Sequence, residues 1–435
     1  MIVDSIQQLQ HFNSKAVFLY PILRDLRVHN KVNTVIGFVV IDLETRNAIT
    51  ISNNHPEGIW HTNNLEFLNN SIVYCYNTIA LKYAGYDTSK YIDVMMQYYL
   101  YTNTGYTTTT PNIIQHYTRV YPNCYRINEL VSLCKHEQIA QEILQECWVK
   151  ELQPGLSFYQ DELLTAFHKI ETNGIAVNGE LFANRFGSTL SLVDKKSYTQ
   201  YNYYTATGRP SNRFGGINFA ALNKEDDTRS CFVSSHEQGC LVEIDFNSYH
   251  PRLIAQLIGY DFGTDNVYEH LASYYHNTPN PTPQQIESAK EGTFRQLYGG
   301  IQQQYLHIPF FSRTNEIARY LWKTAEDLGY VESPISGRRL MLSNHSDMNM
   351  NTLFNYFIQM YETEMNVIIL NKIHELLQSH KTKPVLYTYD SILFDVELSE
   401  LDYLLRGVVT KAIDLEKFPI KIKRGDNYKS LALLQ

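Results

Sequence analysis

Two aspartates in this chain stand where carboxylates can hold metal ions beside a phosphate. The first, Asp245, ends the apolar run Leu241-Val242-Glu243-Ile244 and is followed by Phe246-Asn247-Ser248-Tyr249-His250-Pro251-Arg252. The run reads as a short strand that stops at the carboxylate. A helix is expected at once. Ser248 can cap it, Pro251 falls in its first turn where a missing N–H costs little, and Leu253, Ile254 and Leu257 give it an apolar face. Taken alone, Asp245 reads equally well as an ordinary helix-start residue. The second aspartate, Asp390, lies in Pro384 to Val396, which reads as two apolar strands around a turn holding Asp390 and Ser391. If that hairpin lies beside the Asp245 strand, two carboxylates meet at one sheet edge. Such a pair can hold two Mg²⁺ ions about 3.5–4 Å apart, the arrangement that in-line phosphoryl transfer uses.

A third stretch supplies a cation. Lys290 to Gly300 reads as a helix stopped by two glycines. Lys290, Phe294 and Tyr298 are four apart and project from one face. A Phe/Tyr stripe at that spacing is more often core than site. A lysine on the same stripe is harder to place in a core, because burying an unpaired charge is costly. It would suit a triphosphate.

The elements that position these residues need more than one core, since 435 residues imply two or three domains. Hydrophobic residues at 44% against 19% charged fit a folded chain. A net charge of −8 argues against a wholly basic surface but leaves room for a basic cleft. Cys75, Cys124, Cys134, Cys147, Cys231 and Cys240 form no C-x-x-C pair, so neither a zinc site nor a redox motif is expected. Free thiols point to a reducing cytoplasm, or a host's cytoplasm for a viral chain. No signal peptide is expected from a start carrying Asp4, and Val35 to Ile41 is too short to span a bilayer. The 33 tyrosines are scattered, which suits packing rather than a stacking platform.

In the first third, Ala16 to Leu23, Val35 to Ile41, Ala48 to Ser52 and Ile72 to Tyr76 read as strands and Tyr91 to Leu100 as a helix, a small α/β domain. Asp42-Leu43-Glu44 has the D-x-E spacing of metal-dependent exonucleases. Thr45-Arg46-Asn47 follow directly, however, and a charged hairpin turn is the commoner cause of such a cluster. Thr107 to Thr110 before Pro111 reads as a loop. Turn residues at Gln153-Pro154-Gly155 suggest a boundary, dividing the chain into 1–152 and 153–435. A helix over Asp161 to Glu171 follows, ending at Thr172-Asn173-Gly174.

From about Leu163 to the end the chain resembles the family A DNA polymerases, the class of bacterial DNA polymerase I. Asp245 to Arg252 is similar to that family's first metal motif, and Lys290 to Gly299 to its nucleotide-binding helix, K-x3-F-x3-Y-G. Thr205-Ala206-Thr207-Gly208-Arg209, Gly329-Tyr330-Val331-Glu332 with Gly337-Arg338-Arg339, Asn355 with Gln359, Tyr389-Asp390-Ser391 and Gly425-Asp426-Asn427-Tyr428 resemble five more motifs in the family's order. The resemblance implies an exonuclease-like (RNase H-like) α/β domain, then an α+β polymerase palm and fingers with a reduced thumb. It implies that Asp245 and Asp390 are catalytic and bind two Mg²⁺ with the Phe246 carbonyl. Lys290, Phe294, Tyr298 and His250 would meet the incoming dNTP. Arg209, Arg229, Asn218, Asn355 and Gln359 would meet the DNA primer–template.

Departures from the family matter as much. Ile286 stands where an arginine is expected, so that triphosphate contact falls to Arg295 or another nearby arginine if it is made at all. Ser391 replaces a glutamate, leaving two carboxylates. Only a short segment lies between Val177 and Thr205, where the thumb belongs, so the grip on duplex DNA is weak or comes from a partner protein. The exonuclease carboxylates should fall near Tyr20 to Leu23 and at Asn77 to Leu81, where none stands; Asp93 survives as a helix residue. That domain is expected to be inert. His250 replaces the family's glutamate beside the sugar's 2′ carbon. A ring nitrogen there can bond a ribose hydroxyl and relax its exclusion, unless His250 turns away and Tyr249 fills the space. The leading expectation is a DNA polymerase without proofreading. The alternatives are the same fold making RNA or mixed primers, and an inactive nucleic-acid-binding subunit.

Overall fold

The computed structural model describes residues 2–9, 12–24, 31, 33–61, 65–103, 133–187, 192, 194–212, 217–263, 266–344 and 347–434. The loop expected at Thr107 to Thr110 and the thiol of Cys124 lie outside the described residues. Two compact units are formed, Met1–Leu164 and Thr165–Gln435. The turn at Gln153-Pro154-Gly155 lies inside the first of them.

The first unit is built on six strands, of which Ala16–Leu23 and Val35–Asp42 are buried along nearly their whole length and so read as unbroken apolar runs. The six are β1 (Ile2–Val3), β2 (Ala16–Leu23), β3 (Val35–Asp42), β4 (Ala48–Ser52), β5 (Ile72–Cys75) and β6 (Ile92–Asp93). Their order is β1-β4-β3-β2-β5-β6. β2, β3 and β4 run antiparallel, while β5 is parallel to β2 and β6 to β5. Helices α1 (Thr78–Tyr83), α2 (Val94–Thr102) and α3 (Lys135–Cys147) accompany the sheet. The helix expected from Tyr91 starts later, because Ile92–Asp93 pairs with β5. The Asp93 carboxylate then accepts the Met96 N–H at 2.8 Å and caps α2.

The second unit opens in α4 (Leu164–Asn173), which ends at Gly174 with φ of +61°. β7 (Ile175–Val177), α5 (Gly179–Phe186) and β8 (Lys196–Ser197) follow, then the ribbon of β9 (Tyr201–Asn202) and β10 (Ser211–Asn212), and β11 (Phe232–Val233). β12 (Gly239–Phe246) leads into α6 (Tyr249–Leu257), α7 (Val267–Tyr275), α8 (Pro283–Gly299) and α9 (Pro309–Leu328). A ribbon of β13 (Tyr330–Glu332) and β14 (Arg339–Met341) precedes the long α10 (Met350–Leu376). The chain closes with β15 (Lys383–Thr388), β16 (Ser391–Glu397), β17 (Ile420–Gly425) and β18 (Ala432–Leu433).

The site-bearing sheet has the order β15-β16-β12-β17-β18 and is antiparallel throughout. Asp245 faces Ser391 across the β12–β16 ladder, so the hairpin does lie beside the Asp245 strand. One core joins Ile175, Phe219, Phe232, Leu241 and Leu393 around the sheet. Another packs α6 to α10 around Leu271, Phe310, Phe311 and Leu353. Two local expectations are corrected. Ser248 occupies the N-cap position but adopts a left-handed φ of +54°, and its side chain makes no cap bond. Tyr389 and Asp390 form the hairpin turn, whereas Ser391 already belongs to the returning strand.

Candidate active site

Ladder geometry brings the two aspartates together. The N–H of Phe246 donates to the carbonyl of Asp390 at 2.9 Å, which ties the end of β12 to the hairpin turn. Tyr389 takes a left-handed φ of +59° at that turn. Both carboxylates line two cavities, one of about 720 Å³ and one of about 410 Å³. Burial, and then the neighbouring charge of Asp245, push the Asp390 carboxyl above its ordinary pKa. Among the described residues no three His, Cys, Asp or Glu cluster in a metal-binding group; Asp245 and Asp390 line the cavity at the sheet edge, and Glu287 and Glu362 line it from the helices.

The larger cavity is walled by α8. Thr282 and Gln285 form a capping box at its start, with Pro283 at the first helical position. At its far end Gly300 has φ of +97°, and a Cβ there would come within 2.5 Å of the Asn351 amide, so both backbone and space require glycine. Between these ends Lys290, Phe294 and Tyr298 all face the cavity. The Phe294 and Tyr298 rings are parallel, 5.8 Å apart at 3°. The Lys290 ammonium stands 3.4 Å from Glu287.

The buried carboxylate of Glu362, on α10, organises the opposite wall. Arg209 reaches it with Nε at 3.1 Å from Oε2 and a terminal nitrogen at 3.2 Å from Oε1. His250 Nε2 lies 3.1 Å from the same Oε2, and Nδ1 hydrogen-bonds the Tyr298 hydroxyl. The Arg209 guanidinium also lies over the Tyr389 ring, 4.0 Å from its centre. Burial and the Glu362 charge raise the Tyr298 hydroxyl above its usual pKa, so it stays protonated near neutral pH. His250 does not turn away. Tyr249 stacks on Phe246 at 4.2 Å and spends its hydroxyl on Asn366 at 2.8 Å, so its polar end is committed to the interior.

Asp245, Phe246, Asp390, Lys290, Phe294, Tyr298, His250 and Arg209 therefore share one cavity. Arg229 lines the smaller one, where it donates to the Leu222 carbonyl and covers the Tyr428 ring at 4.6 Å. Asn218, Asn355 and Gln359 line neither. Asn218 precedes the short turn Phe219–Ala221, and Asn355 donates to the Tyr298 carbonyl at 3.0 Å, which holds the end of α8. Gln359 sits half-buried on α10.

Ile286 faces the larger cavity where the resemblance expects an arginine, and Arg295 is absent from its lining. Lys421 is present instead, directly opposite Asp245 on β17. Sequence reading missed it, although the alternation Ile420-Lys421-Ile422-Lys423 puts both lysines on one face of a strand. Glu362 was missed too. No local pattern marks it, since Glu362 is followed by Thr363-Glu364, and its role shows only in its burial against Arg209 and His250.

Carboxylates of the first unit behave differently. Asp42 accepts the N–H groups of Glu44 at 2.9 Å and Thr45 at 2.6 Å, ahead of Arg46 with φ of +63°. Tyr20, Ile22 and Leu23 are buried apolar strand residues. Asn77 caps α1 by accepting the Ala80 N–H at 3.1 Å. Asp93 is buried and accepts from the N–H and hydroxyl of Thr78, at 3.0 and 2.5 Å, and from Met96.

The site is thus a five-stranded antiparallel sheet with Asp245 beside the Asp390 turn, accompanied by helices that carry Lys290 and aromatic rings. The chain is similar to a solved structure described as the POL domain of Pol1 from M. smegmatis in complex with DNA primer-template and dNTP. The TM-score is 0.69 at 14% identity, over 99% of this chain and 100% of that one. No family model and no curated protein matches the sequence.

Proposed function

We propose that the chain is a template-directed DNA polymerase that adds dNTPs to a primer 3′ end by two-metal phosphoryl transfer and does not proofread. One observation carries the reading. Asp245, Asp390, Lys290 and Tyr298 face a single cavity in a fold shared with a polymerase domain that holds primer-template and dNTP. An all-oxygen donor set suits Mg²⁺, and a bound cation would offset both the burial of Asp390 and its repulsion by Asp245, the two causes that raise its pKa. Asp245, Asp390 and the Phe246 carbonyl would hold the ions, which when bound neutralise charge on the transferring phosphoryl group.

The chain's own residues position the reactants. Lys290 and Lys421 meet the triphosphate, and Phe294 with Tyr298 forms a flat wall for the incoming base and sugar. Arg209 is locked on Glu362 and so aims its outer edge at the primer–template. Arg229 serves the same strand from the smaller cavity. Asn218, Asn355 and Gln359 act at the template side, Asn355 chiefly by fixing the end of α8. The segment between β7 and β9 contains α5 and β8 among its described residues, which supports a reduced thumb and a partner protein for grip on DNA. The strand order of the first unit supports an RNase H-like, exonuclease-derived domain, and its committed carboxylates support its being inert.

Synthesis of RNA or mixed primers is the second reading, but both ring nitrogens of His250 are already engaged, Nε2 by Glu362 and Nδ1 by the Tyr298 hydroxyl, so a 2′-hydroxyl would have to displace one of them. The His250 imidazole lines the same cavity as Asp245. Primer extension on a defined template with Mg²⁺, run with dNTPs and separately with rNTPs, decides. Efficient extension with dNTPs alone supports the first reading, and comparable extension with rNTPs supports the second. Extension with neither leaves only a binding subunit.

A further inference from the structure

Asp245 has a partner that the phosphoryl-transfer chemistry does not call for. Strands β12 and β17 run antiparallel with Glu243 directly opposite Lys423 and Asp245 opposite Lys421. Side chains two apart on a strand share a face, so Glu243 and Asp245 both look toward Lys423. Its ammonium lies 2.7 Å from Glu243 Oε2 and 3.1 Å from Asp245 Oδ2. All three side chains are partly or largely buried, with exposures of 28% for Lys423, 11% for Glu243 and 32% for Asp245. Burial opposes the charge on Lys423, but the bonds and charges of Glu243 and Asp245 outweigh it and raise the ammonium's pKa. Lys423 is therefore a fixed cation near neutral pH.

We propose that Lys423 is a built-in counter-cation for Asp245, which a divalent metal ion must displace, and that Glu243 is the acceptor on which Lys423 rests once displaced. The proposal depends on Asp245 being a metal ligand. A cation 3.1 Å from Oδ2 occupies the space in which a metal ion would bind that oxygen. Release does not strand the lysine, because its shorter bond is to Glu243. Glu243 is the most deeply buried of the three and faces the smaller cavity with Asp245 and Lys423. The arrangement pairs Asp245 with a cation without metal, and it sets a lower metal affinity than two bare carboxylates would have. Lys423 is a positioning residue in this account.

The test is Mn²⁺ binding to the full chain without DNA or nucleotide, followed by the paramagnetic resonance of free Mn²⁺. Lys423→Met should bind about three- to tenfold more tightly, the worth of one partly buried ion pair. Glu243→Gln should bind more weakly than the unaltered protein, since Lys423 then rests on Asp245 alone. The double variant Glu243→Gln/Lys423→Met removes one charge of each sign, so the local net charge is unchanged. It should still bind more tightly than the unaltered protein, which a general field effect would not produce. Thermal melting shows whether each variant is folded, and the double variant avoids leaving Glu243 unpaired. Equal or weaker binding by both Lys423→Met and the double variant overturns the proposal while leaving the metal site intact. Unchanged binding by Asp245→Asn overturns the metal site itself.

Discussion

The two units contain the same raw material, a sheet with aspartates at strand ends, and use it in opposite ways. In the first unit Asp42 is consumed by the N–H groups of its own hairpin turn. Asp93 is consumed by Thr78 and Met96, bonds that fix where α1 and α2 begin. In the second unit Asp390 faces a cavity beside a second carboxylate, and burial, then that neighbour, raises its pKa. A carboxylate whose oxygens are filled by local backbone donors is a structural part. Two carboxylates that face one cavity, one of them paired with Lys423, still repel one another and leave oxygens that a cation can bridge.

The largest effect should come from removing that repelling pair. Asp245→Asn and Asp390→Asn should each lower kcat for primer extension by roughly three orders of magnitude, since each deletes a charge at the reacting phosphate. Losses of only a few-fold in both variants would place the chemistry elsewhere. Melting temperatures should hold or rise for Asp390→Asn, because an unfavourable buried charge is gone.

Acid sensitivity separates the units next. Burial lowers the His374 pKa to about 4 in the second unit, against an ordinary value of 6.5. The unfolded chain therefore binds the proton more readily, and stability is complete above pH 6.5. It falls as pH drops from 6.5 towards 4, by up to roughly 3 kcal/mol, and changes no further from this group below that. Hydrogen exchange across α10 between pH 7 and pH 4 measures it, and His374→Gln should flatten the dependence.

Asp93→Ala should then act on the first unit alone. It leaves the Thr78 and Met96 donors buried and unfilled, at a cost of about 2 kcal/mol. Exchange should accelerate in α1 and α2, with kcat for primer extension unchanged. The smallest effect is expected at Lys421→Ala, a several-fold rise in KM for the dNTP with little change in kcat, the worth of one exposed charge on the triphosphate. No change in KM would return the missing contact at Ile286 to another group.

Much of this was legible beforehand because period and turn chemistry are local. The strand limits of β2 and β4, the α8 stop at Gly299 and the Lys290–Phe294–Tyr298 face follow from spacing and residue type. What failed depended on tertiary partners. Ser248 looks like a cap but is held left-handed where β12 turns into α6. The start of α2 moved because Ile92–Asp93 was recruited by β5. Glu362 and Lys421 become site residues only through neighbours far away in the chain, and no local pattern encodes who those neighbours are.

The contrast between carboxylates that face a cavity and carboxylates filled by local backbone donors is tested most directly by a single preparation given two end-labelled primers, one matched and one mismatched at the 3′ end, with template, Mg²⁺ and dNTPs. The account predicts that the matched primer lengthens and that the mismatched primer is never shortened, with or without dNTPs. Shortening of the mismatched primer that disappears in Asp42→Ala/Glu44→Ala would contradict it, and so would a matched primer that does not grow.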